Sequence, residues 1–106
     1  MTDKPVDAVF SALSDPTRRS VMRLLSEGDA NATEIAEQLP ISRQAVTKHL
    51  SALSEAGLVT AERDGREKRY HFTPAPFRDA MSWMADVGAG WDSRLNALQN
   101  LLQDRT

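Results

Sequence analysis

Residues 41–50 read ISRQAVTKHL. Ser42 is suited to cap a helix, and Ile41 before it can pack on Val46 as a hydrophobic staple. At about 100° per residue, Val46, Leu50 and Leu53 share one helix face, with Ala45 and Ala56 flanking it. Gln44, Thr47, Lys48, Ser51 and Glu55 fall on the other face, and Gly57 ends the helix. The wet face is either an ordinary solvated back or a surface that reads DNA, and the flanking sequence decides between them.

Upstream, NATEIAEQLP (31–40) is a short helix. Asn31 can cap it, and Glu34 three residues on completes a capping-box pattern. Ile35 and Leu39 point one way, and Pro40 stops the helix because a residue before proline avoids helical geometry. Two short helices joined by so tight a turn form a helix-turn-helix, spanning about residues 31–57. Farther upstream, Asp15-Pro16 is a helix start, with a capping oxygen followed by a residue that needs no N–H partner. Val21, Leu24 and Leu25 form the buried face of that helix, and Gly28 is the expected left-handed stop. Val6, Val9, Phe10 and Leu13 make one helical stripe before it.

Downstream, LVTAERDGREKRYHF (58–72) is a hairpin. Asp64-Gly65 is a strong signal for a two-residue type I′ turn. That turn pairs Arg63 with Arg66, Ala61 with Lys68 and Val59 with Tyr70. Val59, Ala61, Tyr70 and Phe72 then share a face, which Arg63, Arg66 and Lys68 continue to the tip. Glu62 falls opposite Glu67 on the other face. After TPAP, the apolar positions Phe77, Met81, Met84, Gly88, Trp91, Leu95, Leu98 and Leu102 alternate steps of four and three, a heptad-like seam. With Trp83 and Leu101 beside it, the seam exceeds what a small domain can cover. Gly88 and Gly90 each cost a helix about 1 kcal/mol relative to alanine, so a kink or break is expected near residue 88.

The 106 residues allow one compact domain, and the absence of cysteine removes disulfides and thiolate metal ligands and suits a reducing cytoplasm. No signal peptide and no apolar run of the about 18 residues that span a bilayer is present, so no membrane role is expected. The net charge of −2 argues against a nucleic-acid partner, but its distribution does not. Residues 42–73 carry six Lys/Arg against four Asp/Glu, while residues 1–41 carry four against seven and residues 74–106 three against four. Screening limits surface charges to about 8 Å at physiological salt, so the local excess matters more than the total.

These elements make a mainly α winged helix-turn-helix with a small β-hairpin. The ALSDPTRRSVMRLLSEG (12–28), TEIAEQLPISRQAVTKHLSALSEAGLV (33–59) and ERDGREKRYHFT (62–73) segments resemble the ArsR family of bacterial transcriptional regulators. The resemblance covers roughly residues 6–73, and the Trp91–Leu102 ending is similar to a subgroup without metal sites. It implies a homodimer joined through the first and last helices, a recognition helix in the major groove, a wing over the backbone or in the minor groove, and repression by occupying a promoter. Metal-sensing members carry cysteines where this chain has Asn31 and Thr33, so no soft-metal site and no cofactor is expected. A hard-ion site drawing on Asp79, Asp86 and Asp92 stays open as an effector alternative, as does an apolar effector pocket at the last helix.

The domain reading is residues 1–73 for the DNA-binding body, with the wing at about 58–73, and residues 74–106 for a dimerisation helix or helices of the same domain. Ser42, Arg43, Gln44, Thr47, Lys48 and His49 are the recognition-helix candidates. Gln can pair with adenine and Arg with guanine, while Ser and Thr suit phosphates or thymine methyls. His49, at the border of the core stripe, is equally suited to a local partner. Arg63, Arg66, Lys68 and Arg69 are the wing candidates for phosphate contact. Arg18 and Arg19 read as braces and His71 as structural. Val6, Phe10, Phe77, Met81, Met84, Trp91, Leu95, Leu98 and Leu102 are the dimer candidates. The chain lacks a cysteine nucleophile, a phosphate loop and a nucleophile elbow, so it does not read as an enzyme. The expected function is a cytoplasmic homodimeric repressor on an inverted-repeat operator of double-stranded DNA. A winged helix that binds protein instead of DNA is the alternative from another class.

Overall fold

The computed structural model describes residues 4–103. In chain order the elements are α1 (Lys4–Ala12), α2 (Pro16–Glu27), β1 (Ala30–Asn31), α3 (Ala32–Gln38), α4 (Arg43–Glu55), β2 (Val59–Asp64), β3 (Glu67–Phe72) and α5 (Ala75–Gln103). The expected caps are in place. Asp15 accepts from the N–H groups of Thr17 (2.7 Å) and Arg18 (3.2 Å), with Pro16 opening α2. Asn31 and Glu34 close a reciprocal capping box at α3, at 2.8 and 2.9 Å. Ser42 Oγ accepts the Ala45 N–H at 3.1 Å at the head of α4.

The end of α4 explains Gly57. Its φ of +75° is left-handed, and the Leu58 N–H reaches back to the Leu53 carbonyl at 3.0 Å while Gly57 N–H reaches Ser54 at 2.9 Å. This is a Schellman closure, and it turns the chain from α4 into the wing. Leu58 is thereby driven into the core. The core collects Val9 from α1, Val21 and Leu25 from α2, Ile35 from α3, Val46, Leu50 and Leu53 from α4, Leu58 and Val59 at the wing root, and Ala80 from α5. One face of every helix contributes, so the helices pack around a single centre and hold α4 with its opposite face outward.

Four expectations are corrected. The hairpin pairs Asp64 with Glu67, Arg63 with Lys68, Ala61 with Tyr70 and Val59 with Phe72. The turn residues are therefore Gly65 and Arg66. Gly65 has φ +66° and no non-glycine residue has positive φ, the pattern of a type II′ turn with glycine first. A slip of two residues leaves the strand faces intact, so the apolar set survives, but Arg66 moves into the turn and Glu62 falls opposite Arg69, not Glu67. The sheet also has a third strand, in the order β1-β3-β2, with Ala30 against Tyr70 and Asn31 against Arg69. Gly28 is extended (φ 168°) and makes no left-handed stop, because the chain leaves α2 directly into that strand. Lastly, α5 runs unbroken through Gly88 and Gly90 for 29 residues. Two penalties of about 1 kcal/mol do not outweigh the propagation of so long a helix.

Candidate nucleic-acid interface

Ser42, Arg43, Gln44, Thr47 and Lys48 are all exposed, on the face of α4 opposite Val46, Leu50 and Leu53. The Thr47 hydroxyl donates to the Arg43 carbonyl at 3.1 Å, so its proton is used within the helix. What it offers outward is an acceptor oxygen and a methyl group, suited to a base amino group or a thymine methyl. Gln44, Arg43 and Lys48 have no side-chain partner among the described residues that competes for their donors.

Folding places the wing beside this helix. A groove of about 360 Å³ is lined by Arg43 and Thr47 of α4, by Arg63, Arg66, Lys68 and Tyr70 of the wing together with one carboxylate, Glu67, and by residues Asn31 to Thr33 at the start of α3. Five of the sequence candidates thus share one cleft. Lys68 pairs across the hairpin with Arg63, so two cations stand side by side without a carboxylate between them. Such an arrangement of like charge is unfavourable by itself and favourable against a polyanion.

Arg69 does not join them. Its Nη2 donates to the Asp29 carbonyl at 3.0 Å, and its Nη1 lies 3.4 Å from Glu34 and 3.6 Å from Glu67. Asn31 Nδ2 donates to the same Glu67 at 2.9 Å. Alternation explains the difference, because Arg69 points to the sheet face opposite Lys68. His71 lies on that second face too, with Nδ1 2.7 Å from Asp29 and Nε2 3.4 Å from Glu62. These contacts tie the root of the wing to the loop that starts α3. His49 is half-buried on the α2 side of α4 and lies close enough to contribute to the field at Asp15.

The Asp15 carboxyl is held below its ordinary value, first by the hydrogen bond from the Arg18 N–H, then by Thr17 and the nearby charges of His49 and Arg18, against the opposing effect of burial. Arg18 and Arg19 brace the joint between α1 and α2. Arg18 Nη1 donates to the carbonyls of Ser11 (3.3 Å) and Ala12 (3.4 Å), and Arg19 Nη1 to that of Leu13 (2.6 Å). Asn31, Thr33 and Tyr70 line the groove without having been singled out for it. Strand β1, which swings the start of α3 to the wing, brings Asn31 and Thr33 there, whereas Tyr70 belongs to β3 itself.

The dimer candidates divide. Val6 and Phe77 pack against their own core, Phe77 edge-on to Phe72 with ring centroids 6.3 Å apart. Phe10 meets Trp83 at 5.9 Å but stays partly exposed. Met81, Met84, Trp91, Leu95, Leu98 and Leu102 are exposed, as are Val87 and Leu101. Among the described residues no group of three or more His, Cys, Asp or Glu is arranged to hold a metal ion, and no helix is long and apolar enough to cross a membrane.

Comparison with known proteins points the same way as the geometry. A helix-turn-helix domain family matches residues 13–62. The transcriptional repressor SdpR of Bacillus subtilis is 38% identical over 76 residues, which are 72% of this chain and 84% of that protein. The solved structure of an ArsR-like transcriptional regulator from Rhodococcus sp. RHA1 superposes with a TM-score of 0.84 at 40% identity, covering 94% of each chain. The homodimeric winged helix-turn-helix DNA-binding domain of a possible ArsR-family regulator from Mycobacterium bovis does so with a TM-score of 0.63 at 27% identity, over 86% of this chain and 82% of that one.

Proposed function

Because this chain belongs to the ArsR family of helix-turn-helix transcriptional regulators, we propose that it is a homodimeric repressor that acts in the cytoplasm by occupying a promoter. The observation that carries this reading is the single cleft in which Arg43 and Thr47 of α4 meet Arg63, Arg66 and Lys68 of the wing. A helix whose exposed N-terminal face is small, polar and cationic fits a major groove, and a cationic wing beside it fits the flanking phosphates. Arg43, Gln44 and Thr47 supply base preference. Ser42 and Lys48, with Arg63, Arg66 and Lys68, supply contacts to the backbone. Arg69 supports the wing from behind, and His49 supports α4 from the side of Asp15.

The dimer is supported by the outer face of α5. Nine large apolar side chains of this helix are exposed, from Met81 to Leu102. Burying a Leu or Met side chain is worth roughly 1.5–3 kcal/mol, so leaving this face in water is costly and covering it drives association. The M. bovis relative is itself described as homodimeric. A two-fold axis then presents two copies of α4 to successive major grooves about 34 Å apart, which calls for an inverted-repeat operator.

The test is a titration of the protein into labelled DNA from upstream of its own gene, beside a scrambled duplex of equal length, at several salt concentrations. Preference for the upstream DNA by at least about a hundredfold, with affinity falling steeply as salt rises, is the expected result. Absence of binding to any duplex at low salt would sink the reading and leave a winged helix that binds protein.

A further inference from the structure

Along α2, Arg19, Met22, Arg23 and Ser26 follow helical spacing and share one stripe of the helix. Val21 and Leu25 hold the opposite face in the core, so this stripe turns outward. With Leu13 before it and Phe72 and Phe77 beyond it, the stripe encloses a pocket of about 520 Å³. The two phenylalanine rings stand edge-on, 6.3 Å apart, where the wing joins α5. Leu13, Met22, Phe72 and Phe77 are half-buried against the core and make an apolar floor. Arg19 and Arg23 are exposed at its rim, and no acidic residue lines it.

We propose that this pocket binds a small amphipathic carboxylate, an aliphatic acid of roughly eight to twelve carbons, and that the acid is an effector of DNA binding. The effector role, though not the site itself, rests on the DNA-binding reading above.

Apolar surface and charge select this ligand together. The floor suits a hydrocarbon chain, and each methylene buried there raises affinity about fourfold. A guanidinium fork matches a carboxylate in shape and holds it by two parallel hydrogen bonds. Arg19 is fixed at the mouth, its Nη1 donating to the Leu13 carbonyl at 2.6 Å, and the rest of its fork remains for a ligand. Arg23 has no ion-pair partner among the described residues. Duplex DNA fits poorly here, because its phosphates would meet the two cations and leave the apolar floor uncovered. The pocket also shares no residue with the groove between α4 and the wing.

The position couples the pocket to that groove. Through Val21 and Leu25, α2 shares the core with Val46, Leu50 and Leu53 of α4, and Phe72 ends the strand that carries Lys68. A chain wedged between Met22 and the two rings bears on the joint that sets α4 and the wing side by side. A ligand that prefers one arrangement of this joint changes DNA affinity, and DNA changes ligand affinity by the same factor.

The test is calorimetric titration of the full chain with hexanoate, octanoate and decanoate, beside decanol and decylammonium. One acid per chain is expected, with affinity rising about fourfold per methylene from hexanoate to decanoate. Decanol should bind about tenfold more weakly than decanoate, and decylammonium should not bind. Arg23→Gln should weaken decanoate about tenfold and leave decanol unchanged, a difference that a folding defect would not produce. Ser26 lies in the pocket wall, and the chain has no cysteine, so Ser26→Cys supplies a single thiol. That thiol should react with a soluble maleimide and be protected by decanoate. Affinity for the upstream duplex should change at least about fivefold with decanoate and not with decylammonium. Absence of saturable decanoate binding, or equal binding of acid, alcohol and amine, overturns the site. So does a Ser26→Cys thiol that is protected without acid, increasingly so at higher protein concentration, since a second copy then covers the pocket. Decanoate binding with unchanged duplex affinity overturns the effector role. Decanoate binding by a protein that binds no duplex at low salt leaves the site standing and removes the regulator reading with the effector role.

Discussion

Arg69 and Asp29 are joined across the root of the wing, the guanidinium donating to the backbone carbonyl at 3.0 Å from forty residues away. The same side chain spans Glu34 and Glu67, so one residue couples the hairpin to the loop that launches the first helix of the helix-turn-helix. Arg69→Ala is therefore expected to cost about 1.5–2 kcal/mol of stability, the low end of the range for a hydrogen bond to a charged group because the side chain is partly exposed. It is also expected to weaken DNA binding without changing base preference. Urea unfolding and competition among operator variants measure the two effects separately. A shift in base preference would place Arg69 at the DNA itself.

Gln44 and Lys68 are expected to fail in different ways. Gln44→Ala should lower affinity for the preferred operator by about 1–3 kcal/mol and relax discrimination at one position per half-site. Lys68→Ala should weaken binding to all duplexes alike and flatten the dependence of affinity on salt, as loss of a phosphate contact does. Equal affinity and unchanged base preference in Gln44→Ala would mean that α4 meets the groove with another face.

Asp15 predicts an acid-sensitive component of stability. Its carboxyl is held below the ordinary value of 3.8, first by the bond from the Arg18 N–H. A lowered native value means that the charged cap stabilises the fold fully above that ordinary value. The contribution disappears as pH falls through the lowered native one. Asp15→Ala is thus expected to be less stable than the parent near neutrality, and the gap should close in strong acid. Denaturation midpoints for both proteins across the acid range decide it; a gap that persists at the lowest pH would assign the effect to packing.

Two glycines carry opposite signs. Gly57 has φ +75°, and a Cβ there would stand 3.3 Å from Cγ of Pro76. Gly57→Ala should destabilise by about 1 kcal/mol or more, from the left-handed backbone and the contact together. Gly90 sits within α5, where a Cβ meets nothing within 4 Å and the seam lies on another face. Gly90→Ala should stabilise by up to about 1 kcal/mol through helix propensity. Thermal melts at one protein concentration compare them.

The helices and their caps were readable because each is specified locally. Asn31 with Glu34, Asp15 with Pro16, and Ser42 before a spaced apolar triplet need no distant partner to act. The misread features depend on distant contacts. Strand β1 is two residues long and exists only because β3 is there to pair with it. That single contact brings Asn31 and Thr33 to the groove and assigns Arg69 to a supporting role. The hairpin register hinged on whether Gly65 stands first or second in the turn, and Asp64-Gly65 suits either position by composition. The strand faces survived because a slip of two preserves alternation. Glycines were over-weighted twice, as a helix stop at Gly28 and as a break at Gly88, since neither position needs a positive φ.

The contact of Phe10 with Trp83 joins helices from opposite ends of the described chain. Val9, one residue earlier, is fully buried, so α1 completes the core only together with the body and α5. Closing so long a loop is entropically slow compared with forming the local α3–α4 pair. On the ribosome, α1 waits for α5, and the α3–α4 pair can settle while the chain is still being made. Folding thus has a built-in order, with the helix-turn-helix early and the packing of α1 on α5 late.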